Sequence, residues 1–386
     1  MNNFWLTLPT EIFFGKGQVS VLGKTLKKEK CTKALLAYGH GSIKRNGVYD
    51  DIVKELNEHS IPFVELSGID PNPRIKTVAE GAKICREEGI DFIIAAGAGS
   101  VIDCCKAIAV ARYYSGDPWD FFTRRTSIKK ALPICTVLTL AATGSEMNGG
   151  AVITNEATME KLSTGSMKMK PKFSILDPVY TFSVPKDQTS AGIADIMSHV
   201  FEQYFSYPDA MLPDFLSEAV LKTVIKSGPV AVTDPCNYEA RADIMWAGTI
   251  ALNGILGVGK DGDWATHMIE HELSAKYDIT HGTGLAILTP HWMRKVLDEK
   301  NAVKFAEYGK NVWSVQGIDS MDTALQAIDK TAEFFRSVGI PSKLSDIGID
   351  GSKFEEMADS ALKYSKIGRF KSLSKQDIID IYRSSL

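Results

Sequence analysis

Five short apolar runs cross the first half of the chain, and segments with helical spacing separate the first four. The runs are Lys33 to Tyr38 (KALLAY), Pro62 to Leu66 (PFVEL), Asp91 to Ala96 (DFIIAA), Ile134 to Leu140 (ICTVLTL) and Phe173 to Leu176 (FSIL). Between them lie stretches such as 74 to 89 and 100 to 113, with apolar residues recurring at three- and four-residue intervals. Strands that are apolar throughout and alternate with helices belong to a parallel sheet covered on both faces. After about residue 185 the texture changes. Long amphipathic stretches (187 to 206, 212 to 227, 237 to 256, 263 to 276, 281 to 313, 319 to 338) run to the end, and Asp177-Pro178 and Val184-Pro185 mark the transition. A chain of 386 residues holds about two domains on size alone. The expected division is an α/β domain over 1–185 and an all-helical domain over 186–386.

Composition excludes several classes of function. A net charge of -3, with no long basic run, gives no electrostatic reason to bind nucleic acid or membrane. The start, Met1-Asn2-Asn3-Phe4-Trp5, lacks the basic region and apolar core of a signal peptide, and no apolar run reaches transmembrane length. A cytoplasmic location is therefore expected. The six cysteines (31, 85, 104, 105, 135 and 236) show no Cys-x-x-Cys spacing and are read as reduced thiols. Small-molecule chemistry remains.

In an open α/β sheet that chemistry sits at the carboxyl ends of the strands. Two glycine-rich turns fall there: Gly39-His40-Gly41-Ser42 after KALLAY, and Gly97-Ala98-Gly99-Ser100 after DFIIAA. Neither completes G-x-G-x-x-G, because Lys44 and Ile102 occupy the last position. Glycine lets the backbone approach a ligand closely, and the amides of a helix start then face an anion. Two such turns suit a pyrophosphate; the plain alternative is a pair of tight loops. A third polar turn, Thr139 to Glu146, offers hydroxyls for a ribose or amide, or for capping a helix.

The second half carries the other candidate. Asp195 with His199, and His267 with His271, are spaced i, i+4 and share a helix face; His281 follows closely. A mixed Asp/His set suits a divalent transition metal. Each pair alone is common on solvated helices. Here the neighbours Ile193, Ala194, Ile196, Met197, Trp264 and Ala265 are largely apolar, and buried imidazoles need partners. Spacing does not separate His267 from His271.

The stretches FFGKG (13–17), YGHGSIKRNGVYD (38–50), GIDPNP (68–73), GAGSVIDCCK (97–106), LTLAATGSEMN (138–148), ILDPVYTFSVP (175–185), ADIMSHVFEQYF (194–205) and DWATHMIEHELSAKYDITHGTGLAIL (263–288) together resemble the iron-containing (group III) alcohol dehydrogenases. Within that family the likeness is to the branch of butanol dehydrogenases and NADPH-dependent aldehyde reductases. The resemblance implies a Rossmann-like dinucleotide-binding domain with a parallel sheet, followed by an all-α domain, in the dehydroquinate synthase-like architecture with a metal in the intervening cleft. It implies that Asp195, His199, His267 and His281 ligate that metal, zinc or iron. His271 then lies near the nicotinamide on a proton path. Gly97, Ala98, Gly99 and Ser100 would lie over the pyrophosphate with Asp103 behind them; Asn72, Thr139, Thr143, Ser145 and Lys161 complete the expected nucleotide site. Ala98 departs from the family's GGGS and is tolerable if its φ stays negative. At Gly39 an acidic residue would favour NAD. Gly39, Gly41 and Ser42, with Lys44 and Arg45 behind, instead favour NADP, with NAD the alternative.

The implied reaction is hydride transfer between a nicotinamide and a short- to medium-chain primary alcohol or aldehyde, such as butanol or butanal. The metal would serve as a Lewis acid, and the four ligands would leave a net positive site. Trp264, Met147, Asn148, Val152 and Met197 fall near these motifs and suggest an apolar pocket. Two alternatives stand beside this reading. One is a glycerol dehydrogenase-like polyol oxidoreductase. The other is a metal-dependent hydrolase, although Ala275 replaces the second histidine of H-E-x-x-H after His271-Glu272. A homodimer or larger homo-oligomer is expected from the resemblance.

Overall fold

The wholly buried runs become the middle of a sheet. In the computed structural model, which describes residues 1–364 and 366–386, a six-stranded parallel sheet has the order β1-β8-β5-β4-β2-β3. Its strands are β1 (Glu11–Phe14), β2 (Ala34–Tyr38), β3 (Phe63–Leu66), β4 (Phe92–Gly97), β5 (Ile134–Leu138) and β8 (Phe173–Leu176), while β6 (Gly150–Asn155) and β7 (Glu160–Gly165) form a separate antiparallel hairpin. Every residue of β2, β4, β5 and β8 is buried, as strands covered on two faces require. One apolar cluster, including Leu35, Ile93, Ile102 and Ile108, covers one face; another, including Leu36, Phe92, Ile94 and Phe173, covers the other.

The helices of this part are α1 (Leu22–Lys28), α2 (Ser42–Arg45), α3 (Val48–Glu58), α4 (Ile75–Glu87) and α5 (Gly99–Ala111). Helix α3 buries Val48, Ile52, Glu55 and Leu56, the one-sided spacing of an amphipathic helix. Helix α5 is buried along most of its length.

The rest is helical: α6 (Lys186–Tyr204), α7 (Met211–Thr233), α8 (Tyr238–Ala251), α9 (Ala265–Tyr277), α10 (His281–Val296), α11 (Ala302–Trp313), α12 (Ser320–Ser337), α13 (Phe354–Ala361) and α14 (Lys375–Ser384). Side chains cap the later ones. The Asp319 carboxylate accepts the Asp322 N–H, and Ser374 and Asp377 form a reciprocal capping box. The amphipathic stretch 281–313 is two helices. Asn301 Nδ2 donates to the Val296 carbonyl at 2.7 Å, and Asp298 accepts the Lys300 and Asn301 N–H groups at 3.0 and 3.2 Å, so side chains satisfy the backbone where the helix stops.

Two compact units result. The sheet unit comprises Thr7–Val184 and Pro235–Met245; the helical unit comprises Met1–Leu6, Pro185–Asp234 and Trp246–Leu386. The linear boundary read at 185 falls at the start of α6, while residues 1–6 and 235–245 cluster with the opposite unit. All six cysteines are free thiols, five of them buried. No described helix is long and apolar enough to cross a membrane.

Candidate active site

In the helical unit, α6 is buried on every side from Thr189 to Tyr204, so its polar groups must find partners inside the protein. Asp195, His199 and Glu202 stand one turn apart on it. Around Asp195 Oδ1 lie His199 Nδ1 at 3.6 Å, His267 Nε2 at 3.8 Å and His281 Nε2 at 3.9 Å. These separations exceed hydrogen-bond length. Asp195 Oδ1, His199 Nδ1 and His267 Nε2 are all buried without a hydrogen-bond partner. Four tetrahedral donors each about 2.1 Å from one ion stand about 3.4 Å apart, so the spacing suits a shared cation. Donor atoms of Asp195, His267 and His281 all lie within 4.8 Å of one another. His199 approaches Asp195 from its own helix, its ring stacked on that of His267 at 4.7 Å.

The charge balance agrees with this geometry. Burial pushes the His199 imidazole down to about 3, which keeps it in the neutral form a metal needs. Burial also opposes charge on His267, but the carboxylates of Asp195 and Glu202 outweigh it and push this imidazole up to about 9. Asp195, despite burial, is held well below the usual carboxylate range by His199, His267 and His281. The pocket therefore stabilises positive charge. A divalent cation satisfies the same field and the unpartnered atoms together.

His271 takes another position. Its donor atoms group with Glu270 and His281 and not with Asp195, and its ring lies 5.5 Å from that of His281. Trp264, at the N-cap of α9, has φ 61°, unusual for a bulky residue, and its ring lies 5.4 Å from His267.

In the sheet unit, the strand order reverses between β2 and β4: the chain goes from β2 out to β3, then returns to the other side of β2. A ligand crevice lies at the carboxyl ends beside such a reversal. The two glycine turns sit at those ends. Gly41 has φ 91°, which favours glycine. A Cβ on Gly99 would lie 2.3 Å from Thr143 Oγ1, so glycine brings the start of α5 against the Thr139–Ser145 turn. The third turn is tied to the second by Thr139 N–H donating to the Gly97 carbonyl at 3.2 Å. Ser100 Oγ donates to the Pro71 carbonyl, and Lys161 Nζ donates to Asn72 Oδ1 at 3.0 Å, both of the latter side chains being buried. Ala98 has φ −80° and ψ −179°, ordinary extended backbone, so its methyl group introduces no strain. These turns and the open end of α5 fit a dinucleotide pyrophosphate.

Asp103 and Ser145 behave otherwise. Ser145 Oγ donates to Asp103 Oδ1 at 2.5 Å and accepts from Lys106 Nζ at 2.7 Å, while the second Asp103 oxygen takes the Val152 N–H at 2.9 Å. Lys106 also donates to Asn148 Oδ1 and the Gly150 carbonyl, and burial lowers its ammonium to about 8. Both residues face this buried network, which fixes the turn that carries Thr143. Asn148 and the Val152 backbone are engaged there too, with both side chains half-buried, while Met197 is fully buried in α6 and serves as core where a pocket wall was expected.

The same assignments can be set beside known proteins. The family described as iron-containing alcohol dehydrogenase matches residues 9–178, and its C-terminal counterpart matches residues 189–386. The chain belongs to the iron-containing alcohol dehydrogenases. It is 51% identical over 100% of both chains to the NADH-dependent butanol dehydrogenase A of Clostridium acetobutylicum. It is 42% identical, over 91% of each, to the NADPH-dependent aldehyde reductase YqhD of Escherichia coli. Among solved structures, the NADH-dependent butanol dehydrogenase A of Thermotoga maritima superposes with a TM-score of 0.97 at 40% identity, covering 100% of this chain and 99% of that one. The branch is that of the butanol dehydrogenases and aldehyde reductases, and the fold is the family's.

For this alcohol dehydrogenase, reading the sequence missed Glu202, Glu270 and Lys106. Glu202 Oε1 accepts both the backbone N–H and the Nδ1–H of His267, at 2.9 and 3.1 Å, and Glu270 Oε2 is hydrogen-bonded to His281 Nδ1. Position offered the only signal, since Glu202 lies seven residues after Asp195 and Glu270 three after His267. They also bear on the expected charge. With Asp195 they make three buried acidic side chains around these histidines, so a divalent cation held there would not leave the site net positive, as its four ligands alone implied.

Proposed function

We propose that this chain is a metal-dependent alcohol dehydrogenase and aldehyde reductase that moves hydride between NAD(P)H and short- to medium-chain primary alcohols or aldehydes such as butanol and butanal. The observation that carries this reading is the set of unpartnered buried donors Asp195 Oδ1, His199 Nδ1 and His267 Nε2, together with His281 Nε2. In this reading Asp195, His199, His267 and His281 hold the ion, iron or zinc; the family favours iron. Such an ion, when bound, polarises an aldehyde carbonyl and lowers the pKa of an alcohol. The amides at the start of α5, with Gly97 to Ser100, hold the pyrophosphate. Thr139 and Thr143 offer hydroxyls toward the nicotinamide half, and Lys161 is oriented by Asn72. His271, beside His281 but outside the donor set, carries the proton exchanged with the substrate oxygen. Trp264 supplies an apolar wall.

On the adenosine side, Gly39, Gly41, Ser42 and Lys44 receive the ribose. Lys44 Nζ lies 3.4 Å from Glu65 Oε2 and 4.4 Å from the centre of the Tyr49 ring. Part of the positive charge that favoured NADP is thus met within the protein. The reading accordingly admits NADH beside NADPH, as the names of the two relatives suggest. A cytoplasmic location and a homodimer or larger assembly belong to the same proposal.

The test is the initial rate of NADH and NADPH oxidation with butanal, on protein stripped by a chelator and then reloaded with ferrous iron or zinc. A rate that vanishes and returns with metal is expected. Undiminished turnover after stripping would overturn the reading.

A further inference from the structure

An imidazole that offers Nε2 to a cation carries its proton on Nδ1, and that N–H requires an acceptor. A backbone carbonyl or water would suffice. This chain instead supplies a carboxylate twice. Glu202, on α6, reaches across to His267 on α9; Glu270, on α9, reaches across to His281 on α10. Helices α6 and α9 thus each carry both a candidate ligand and the carboxylate that orients a histidine of another helix.

Both carboxylates are sealed inside the protein, at 2% and 0% exposure. Glu270 Oε1 accepts the Ser274 hydroxyl at 2.5 Å, and a Cβ at Gly284 would come within 2.8 Å of that same oxygen, so α10 closes over Glu270 only because residue 284 is glycine. Among the described residues, Glu202 pairs with His267 and Glu270 with His281, and no lysine or arginine pairs with either. Two buried carboxylates without a permanent cation are costly. Their geometry is explained if the positive charge arrives at the far side of the two imidazoles.

We propose that Glu202 and Glu270 are positioning residues that fix the Nδ1–H form of His267 and His281 and, through their negative charge, set the affinity of the site for a divalent cation. The proposal rests on the metal reading above. Outer carboxylates of this kind change metal affinity by about 10- to 100-fold.

The test uses the full chain with Glu202→Gln, Glu270→Gln, Glu202→Ala and Glu270→Ala. Glutamine keeps an oxygen to accept Nδ1–H and removes only the charge; alanine removes both. Dissociation constants for Zn2+ and anaerobic Fe2+ are measured by competition with a chromophoric chelator, folding is checked by circular dichroism, and the visible spectrum of the Co2+-loaded protein reports the ligand field. The expected result is a loss of roughly 10-fold in affinity for each glutamine variant and more for each alanine variant, with a shifted Co2+ band. Affinities within twofold of the parent and an unmoved Co2+ band in the glutamine variants would overturn the proposal; these variants decide it if the alanine ones do not fold. Asp195→Asn separates the two levels. If the parent binds tightly and Asp195→Asn weakens it while the glutamate variants do not, only this inference fails. If the parent binds no ion, the metal reading fails with it.

Discussion

Gly282→Ala should disable the site without touching a ligand. Gly282 follows His281 in the first turn of α10, where that helix meets α6. A Cβ there would lie 2.0 Å from the Ala191 carbonyl oxygen and 2.6 Å from its carbon. Ordinary van der Waals contact begins at 3.4 Å, and the obstructing atoms are backbone of a buried helix, which cannot swing aside as a side chain can. Relief therefore needs α10 to move by roughly 1 Å or more, at an overpacking cost of about 1–3 kcal/mol. The adjacent His281 moves with it, away from Asp195. Misplacement on the order of 1 Å costs about 100-fold in rate. The assay combines a urea unfolding midpoint, a chelator-competition metal constant and kcat with butanal. A variant that kept both its metal affinity and its kcat within a factor of two would refute the argument that this helix contact positions His281.

Three further outcomes are expected. Gly39→Asp should weaken NADPH binding relative to NADH, measured as dissociation constants by nucleotide fluorescence; its Cβ would meet nothing closer than the Ile69 carbonyl oxygen at 3.4 Å, so an unchanged ratio would mean the ribose phosphate site lies elsewhere. His271→Ala should lower kcat by about 100-fold or more and alter its pH profile while leaving metal content intact, because its ring stands outside the Asp195 donor group; loss of metal on purification would refute this. Burial pushes the Cys85 thiol up from 9.0 to about 12. A folded-state pKa above the unfolded one gives stability that is present below pH 9 and lost as pH rises toward 12. The parent should therefore lose on the order of 2 kcal/mol more than Cys85→Ala between pH 8 and 11, read from urea midpoints, and equal losses would exclude this thiol as a source.

How much of this was legible depended on what burial does to each pattern. Strands β2, β4 and β5 were readable because a doubly covered strand is an unbroken apolar run, and the glycine turns followed from their ends. The β6–β7 hairpin was not: GAVITN and EKLSTG mix small, polar and charged residues, and Lys161 is buried with its ammonium bonded to Asn72. The break between α10 and α11 was hidden because Asp298 and Asn301 stop the helix through side-chain bonds that no apolar period records. Asp195, His199, His267 and His281 stood out by residue type and interval. The choice between His267 and His271 did not, since the two are one helical turn apart and only the position of α6 separates them. Glu202, Glu270 and Lys106 carry no signal of their own in the sequence. Their role comes from burial, which the neighbours in space decide.

Helix α6 has one more consequence. It is buried from Thr189 to Tyr204, so Asp195, His199 and Glu202 are sealed from solvent. On the metal reading, an ion bound there at 1,000 times its dissociation constant adds about 4 kcal/mol to the folded state, comparable to the whole margin of a modest domain. Without an ion, the buried carboxylates of Asp195, Glu202 and Glu270 would have only the imidazoles between them to balance their charge. The cellular lifetime of this protein would then follow iron or zinc supply: starvation would reduce the number of molecules through unfolding and proteolysis, in addition to silencing those that remain.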